Sequence, residues 1–130
     1  MQAQESLTSI PLTQLGQPVA ELPVRDVERA QDHYRDKLGF EPCWSVPAED
    51  GAGKEIGSVK RGEAAIFFRR RKGAFEPAVH WFYAVDINAT YAELTARGAH
   101  ITDPLEKKPW GITQFTVVDL DGNVFYFHGD

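Results

Sequence analysis

Apolar and polar positions in this chain follow two periods, and the change from one to the other happens twice. Leu22-Pro-Val24 alternates with its neighbours as a strand does and runs into Asp26, a favourable helix N-cap. Val27, Ala30, Tyr34 and Leu38 then recur at helical spacing until Gly39, the residue type that most readily ends a helix. The same succession returns later. Phe82-Tyr-Ala84-Val leads to Asp86, and Ile87, Tyr91 and Leu94 share a helical face before Gly98. The two N-cap aspartates lie 86 − 26 = 60 residues apart. Downstream, hairpin signals at Arg61-Gly62 and Asp121-Gly122 are again 122 − 62 = 60 residues apart. Each is followed by an aromatic strand, Ala65–Phe68 and Val124–Phe127. Two landmarks at one offset predict an internal duplication.

Each copy therefore reads as strand, helix and three strands. The strands are expected at residues 18–25, 40–47, 55–61 and 63–70, then 79–85, 99–102, 112–119 and 123–128. Residues 1–16 read as a tail or arm, 17–74 as a first βαβββ module and 75–130 as a second. The glycine and proline of Lys72–Pro77 mark the linker between them. The fold class is α+β, with two tandem modules forming mixed sheets that face each other around a cleft. Pro23 inside the first strand calls for an edge position, because proline cannot donate to a ladder.

Composition narrows the function classes. With 14 basic and 19 acidic residues the chain carries a formal charge of −5, which argues against nucleic acid and admits a cationic ligand. The basic run Arg69–Lys72 reads as a solvated hairpin end, and Glu49, Asp50 and Glu55 read as solvated acids. A single cysteine, Cys43, rules out an internal disulfide and an all-cysteine metal site. No run of 18 apolar residues predicts a membrane span, and the start is polar, so a cytoplasmic location is the expectation. Nucleophile signatures are missing: Ser45 and Ser58 lack elbow glycines, and Cys43 has no nearby histidine in sequence. Gly51-Ala-Gly53-Lys54 lacks the spacing and following helix of a phosphate loop.

Glu21-Leu-Pro-Val-Arg-Asp26, Tyr34 and Leu38-Gly39-Phe40 resemble the opening of bleomycin-resistance proteins and of the wider glyoxalase/dioxygenase, or vicinal oxygen chelate, superfamily. Pro109-Trp110-Gly111, Phe115 and Asp119-x-Asp121-Gly122-Asn123 resemble its closing segment, with Leu120 where a proline is usual between the two aspartates. The resemblance implies paired βαβββ modules and a homodimer. It also implies, for the enzymes of the group, a divalent metal held by His or Glu on the first and last strands of each module. Counting seven residues back from the N-caps gives Val19 and Val79; the last strands give Tyr126 and Phe67, or Ile66 in the alternative register. None of these is a competent ligand beyond the weak Tyr126 phenol, so no metal and no cofactor is expected. His80 dissents: a one-residue slip would turn it into the cleft, whereas its offset partner Ala20 lies on the face shared with Leu22 and Val24.

If Val19 and Val79 face the cleft, strand alternation brings Glu21, Pro23, Phe67, Arg69, Trp81, Tyr83, Val124, Tyr126 and His128 to the same faces. Trp44 and the loop residues Trp110 and Gly111 join them as ligand-binding candidates. Glu21 on a largely apolar strand face needs a cation, and Arg69 or a ligand could supply it. Flat rings stack on planar ligands and cations by about 0.5–2 kcal/mol per good contact. The expected function is non-enzymatic sequestration of an amphipathic, aromatic or cationic small molecule, as in bleomycin-type resistance. The alternatives are a metal-dependent lyase, isomerase or dioxygenase using Glu21, His80 and His128, and an interaction module with no small ligand.

Overall fold

The computed structural model describes residues 9–130, so the first eight residues of the expected tail lie outside the described residues. The chain runs β1 (Ala20–Val24), α1 (Val27–Leu38), β2 (Glu41–Pro47), β3 (Lys54–Arg61), β4 (Ala64–Arg70), β5 (Val79–Tyr83), α2 (Ile87–Ala96), β6 (Ile101–Lys107), β7 (Thr113–Val118) and β8 (Val124–Gly129). Four strands form one sheet in the order β1-β4-β3-β2, and the other four repeat it as β5-β8-β7-β6. In each sheet the first strand pairs in parallel with the fourth, and the remaining pairs are antiparallel. This is the βαβββ unit occurring twice.

Local chemistry explains the elements. The Asp26 and Asp86 carboxylates accept the N–H groups of Arg29 and Ala89, satisfying donors that an uncapped first turn leaves without partners. Gly39 ends α1 at φ 70, and Gly98 follows α2 at φ 79. The predicted helical face of α1 is the buried one: Val27, Ala30, Tyr34 and Leu38 are each 2% exposed or less. Pro23 sits on the edge strand β1, where its missing donor costs no ladder bond.

Both helices and one face of each sheet share a single core. Leu22, Val24, Val59, Ile66 and Phe68 of the first sheet join Phe115, Val117, Phe125 and Phe127 of the second. The Tyr34 ring packs edge-on against both Phe68 and Phe125, and Phe40 meets Phe82, so modules join through their helix-bearing faces. A polar clasp sits beside this seam. The Tyr34 hydroxyl donates to Asp119 Oδ2 at 2.5 Å, Asn123 Nδ2 donates to the Pro23 carbonyl, and the Arg25 N–H donates to Asp121. Arg61 reciprocates across the seam by holding both Glu93 oxygens while also donating to the Leu38 carbonyl of its own module.

Three expectations need correction. The strand placed at 99–102 runs Ile101–Lys107, with register shifts on either side of Asp103, because β6 is an edge strand that tolerates Pro104. The two hairpins are not equivalent: β3 and β4 are joined by Gly62 and Glu63, whereas residues 119–123 form a longer turn. Asp119 closes that turn by accepting the N–H groups of Asp121 and Asn123. Asp50 and Arg70, read as solvated, are an ion pair at 2.8 Å, and the Arg70 side chain is only 12% exposed. Lys72, the Ala52 N–H and Arg70 together hold the Asp50 carboxyl well below its ordinary range.

Candidate ligand-binding faces

Strand pairing fixes which side chains share the faces turned away from the helices. In the first sheet Glu21 pairs with Phe67 and Pro23 with Arg69, while their chain neighbours Leu22, Ile66 and Phe68 are fully buried in the core. In the second sheet Val79 pairs with Val124, Trp81 with Tyr126 and Tyr83 with His128, again alternating with core Phe125 and Phe127. Alternation across a pleat therefore puts the predicted residues on two open faces. The equivalence is not a uniform 60: Val19, Glu21 and Pro23 match Val79, Trp81 and Tyr83 at that offset, but Phe67 and Arg69 match Tyr126 and His128 at 59. Phe67, not Ile66, occupies the open face.

Aromatic rings dominate both faces. Trp44 meets Phe67 edge-on, with centroids 5.0 Å apart. On the second sheet Trp81 lies 4.7 Å from Tyr126, and His128 stands edge-on to Trp81 and Tyr83 at 5.7 and 5.6 Å. Trp44, Trp81 and Tyr83 remain 43%, 52% and 56% exposed, far from the burial of core rings. The Tyr83 hydroxyl donates to Asp130 at 3.3 Å. Glu21 has the partner its setting demands, Arg69 Nε at 2.6 Å, with both side chains more than a third exposed. Trp110 reaches the second face from its loop by donating its indole N–H to Gln114 Oε1 at 3.1 Å, and Gly111 beside it takes φ 94 to close the turn.

Three residues of these faces escaped the sequence reading. Ser58 pairs with both Trp44 and Phe67 on the first sheet, and Thr116 pairs with Tyr126 at the matching place on the second. Gln114 pairs with His128. All three are buried beneath the rings, at 4%, 7% and 4% exposure. The signal was present in Thr113-Gln-Phe-Thr-Val117, where polar Gln114 and Thr116 alternate with core Phe115 and Val117.

The metal-ligand positions do not fit a metal. Val19, Phe67, Val79 and Tyr126 offer no carboxylate or imidazole. His80 pairs with Phe125 and stacks on its ring at 6.2 Å, on the helix-bearing side of β5. Glu21 stands on the other sheet, paired with Arg69. Glu21, His80 and His128 thus divide between two sheets and two faces. Among the described residues no group of three His, Cys, Asp or Glu side chains could hold an ion. No helix among those residues is long and apolar enough to cross a membrane.

Comparison with known proteins agrees with this architecture. The family model described as the Glyoxalase/Bleomycin resistance protein/Dioxygenase superfamily matches residues 16–127. No curated protein matches the chain. Among solved structures, TioX from Micromonospora sp. ML1 is 28% identical with a TM-score of 0.72, covering 85% of this chain and 95% of that one. A bleomycin-binding protein from bleomycin-producing Streptomyces verticillus, complexed with copper(II)-bleomycin, is 24% identical with a TM-score of 0.72 and coverage of 92% and 99%. Lactoylglutathione lyase from Agrobacterium tumefaciens has the same fold at 18% identity, with a TM-score of 0.63 and coverage of 86% and 92%. On the match over residues 16–127, the chain belongs to the Glyoxalase/Bleomycin resistance protein/Dioxygenase superfamily.

Proposed function

We propose that this protein binds and sequesters an amphipathic, aromatic or cationic small molecule of the bleomycin type, without transforming it, in the cytoplasm. The observation that carries this reading is the chemistry of the open faces. At the four places where a relative's metal ligands would stand, this chain carries Val19, Phe67, Val79 and Tyr126, set among exposed tryptophans. Such walls stack on flat rings and attract cations but supply no nucleophile aligned with a base and no Lewis acid. The bleomycin complex of the Streptomyces verticillus protein gives the ligand class its precedent within this fold.

The modules of one chain join through their helix-bearing faces, which leaves both open faces turned to solvent. A homodimer resolves this exposure: the Trp44–Phe67 face of one copy lies opposite the Trp81–Tyr126 face of the other, and two such clefts arise from one two-fold axis. Each cleft then joins aromatic walls to the Glu21 carboxylate, which can exchange Arg69 for a ligand cation.

Isothermal titration with metal-free bleomycin tests the reading. Saturable binding at one molecule per cleft is expected, with unmodified bleomycin recovered afterwards. Absence of saturable heat at high micromolar protein, or turnover of the ligand, would refute it.

A further inference from the structure

Beneath the rings of the second open face lies a polar group whose geometry is fixed in advance. Gln114 is 4% exposed, and its cross-strand neighbours are His128 on β8 and Glu106 on β6, whose carboxylate is held by Lys108. An indole N–H can only donate, so the Trp110 bond identifies the accepting atom as Oε1 and leaves Nε2, with its two hydrogens, as the other end of the amide. That nitrogen has no protein partner among the described residues, yet it is not sealed in, since every fully enclosed side-chain nitrogen or oxygen among those residues has one. Gln114 alternates with core Phe115, so the amide belongs to the aromatic face.

A donor that has no protein partner and only a narrow opening to water can exchange that water for an acceptor atom of a ligand, and a ligand that covers it without an acceptor costs it its solvation. Held between Trp110 and the sheet, the amide also has little rotamer freedom left to lose on binding. Resting on the binding function proposed above, we infer that Gln114 Nε2 is a specificity-determining donor. The ligand class it selects is a planar ring system carrying a carbonyl or carboxamide oxygen at its edge. Trp81 and Tyr126 receive the ring, Gln114 reads the acceptor, and Trp110 orients Gln114. A ring without an acceptor leaves the amide unsatisfied and is rejected, because sites built around a hydrogen bond discriminate strongly against analogues lacking it.

The test compares Gln114→Glu, Gln114→Leu and Trp110→Phe with the wild type in bleomycin titrations. Gln114→Glu keeps an acceptor for the Trp110 indole but replaces the donor with a second acceptor. If Gln114 only supports Trp110, this variant binds like the wild type, and that result overturns the inference. The inference predicts that Gln114→Glu and Gln114→Leu each weaken binding about tenfold or more, and that Trp110→Phe weakens it by a smaller factor. A second arm uses the wild type alone and keeps the two readings apart should bleomycin itself not bind. The side-chain amide protons of Gln114, followed by NMR, should move downfield with millimolar benzamide and not with benzylamine, which has a ring but no carbonyl. A Gln114 signal indifferent to benzamide, or shifted equally by both, would overturn the inference.

Discussion

At the residue scale, Tyr34 and Asp119 form the most consequential polar pair. The hydroxyl is buried with its ring, and both burial and the neighbouring carboxylate push its ionisation well above the ordinary value of 10.0. Tyr34→Phe leaves Asp119 Oδ2 with Asn123 Nδ2 alone and should cost about 1–3 kcal/mol in chemical denaturation at neutral pH. The pH dependence has a definite sign. Below pH 10 both folded and unfolded Tyr34 keep their proton, so the bond's contribution is fully present. Above pH 10 the unfolded chain loses the proton while the folded chain retains it, and stability falls with rising pH by up to about 1.4 kcal/mol per unit. The stability difference between wild type and Tyr34→Phe should therefore shrink as pH rises above 10; a constant difference would contradict the assignment. On the open faces, Trp81→Ala removes a ring that is half exposed in the free chain. It should weaken ligand binding several-fold, read by titration, while leaving the midpoint of unfolding nearly unchanged.

At the element scale, the close approach of α1 to the first sheet depends on Gly57. A Cβ at Gly57 would stand 2.5 Å from Val27 Cγ1 and 3.0 Å from Gln31 Nε2. Gln31 uses that nearness to donate to the carbonyls of Trp44 and Ser58, pinning α1 to β2 and β3. Gly57→Ala should destabilise the fold by about 1–3 kcal/mol in urea denaturation, because α1 must lift off the sheet. Elements of this kind were readable from the chain wherever the signal was local. The two aspartate caps, the buried stripe Val27-Ala30-Tyr34-Leu38 and the edge position of Pro23 follow from side-chain chemistry within a few residues. Strand β6 was foreshortened because Asp103-Pro104 reads as loop, and only pairing with β7 carries the strand through it. The aromatic residues of the open-face strands followed from alternation once the family resemblance had set its phase at Val19 and Val79, whereas Trp110 came from the Pro-Trp-Gly motif. Gln114 and Thr116 were overlooked because a polar residue on a strand ordinarily means solvent, and only the rings above them show that they are covered. The Asp50–Arg70 pair, 20 residues apart in sequence, had no local signature at all.

At the scale of the whole molecule, a duplicated unit has been joined by two unlike clasps across its seam. On one side Asp119 accepts Tyr34 from the other module amid buried partners; on the other, Arg61 and Glu93 meet with each side chain about a third exposed. Arg61, with Arg97, holds the Glu93 carboxyl below its ordinary range. Being solvated, this pair should contribute under about 1 kcal/mol, so Glu93→Gln should cost little and its effect should fade as salt is raised. The seam therefore rests mainly on the shared aromatic core, and the faces left over are the ones offered to a ligand and a second copy. The measurement that tests this composite site most directly is complementation between Trp44→Ala and Trp81→Ala chains, each defective on a different face. If each cleft joins the first sheet of one copy to the second sheet of the other, separately weakened variants should, after mixing and subunit exchange, regain sites of wild-type affinity amounting to about a quarter of the wild-type number, all of them in mixed dimers. A mixture that binds no more ligand than its two components measured apart would contradict a site shared between copies.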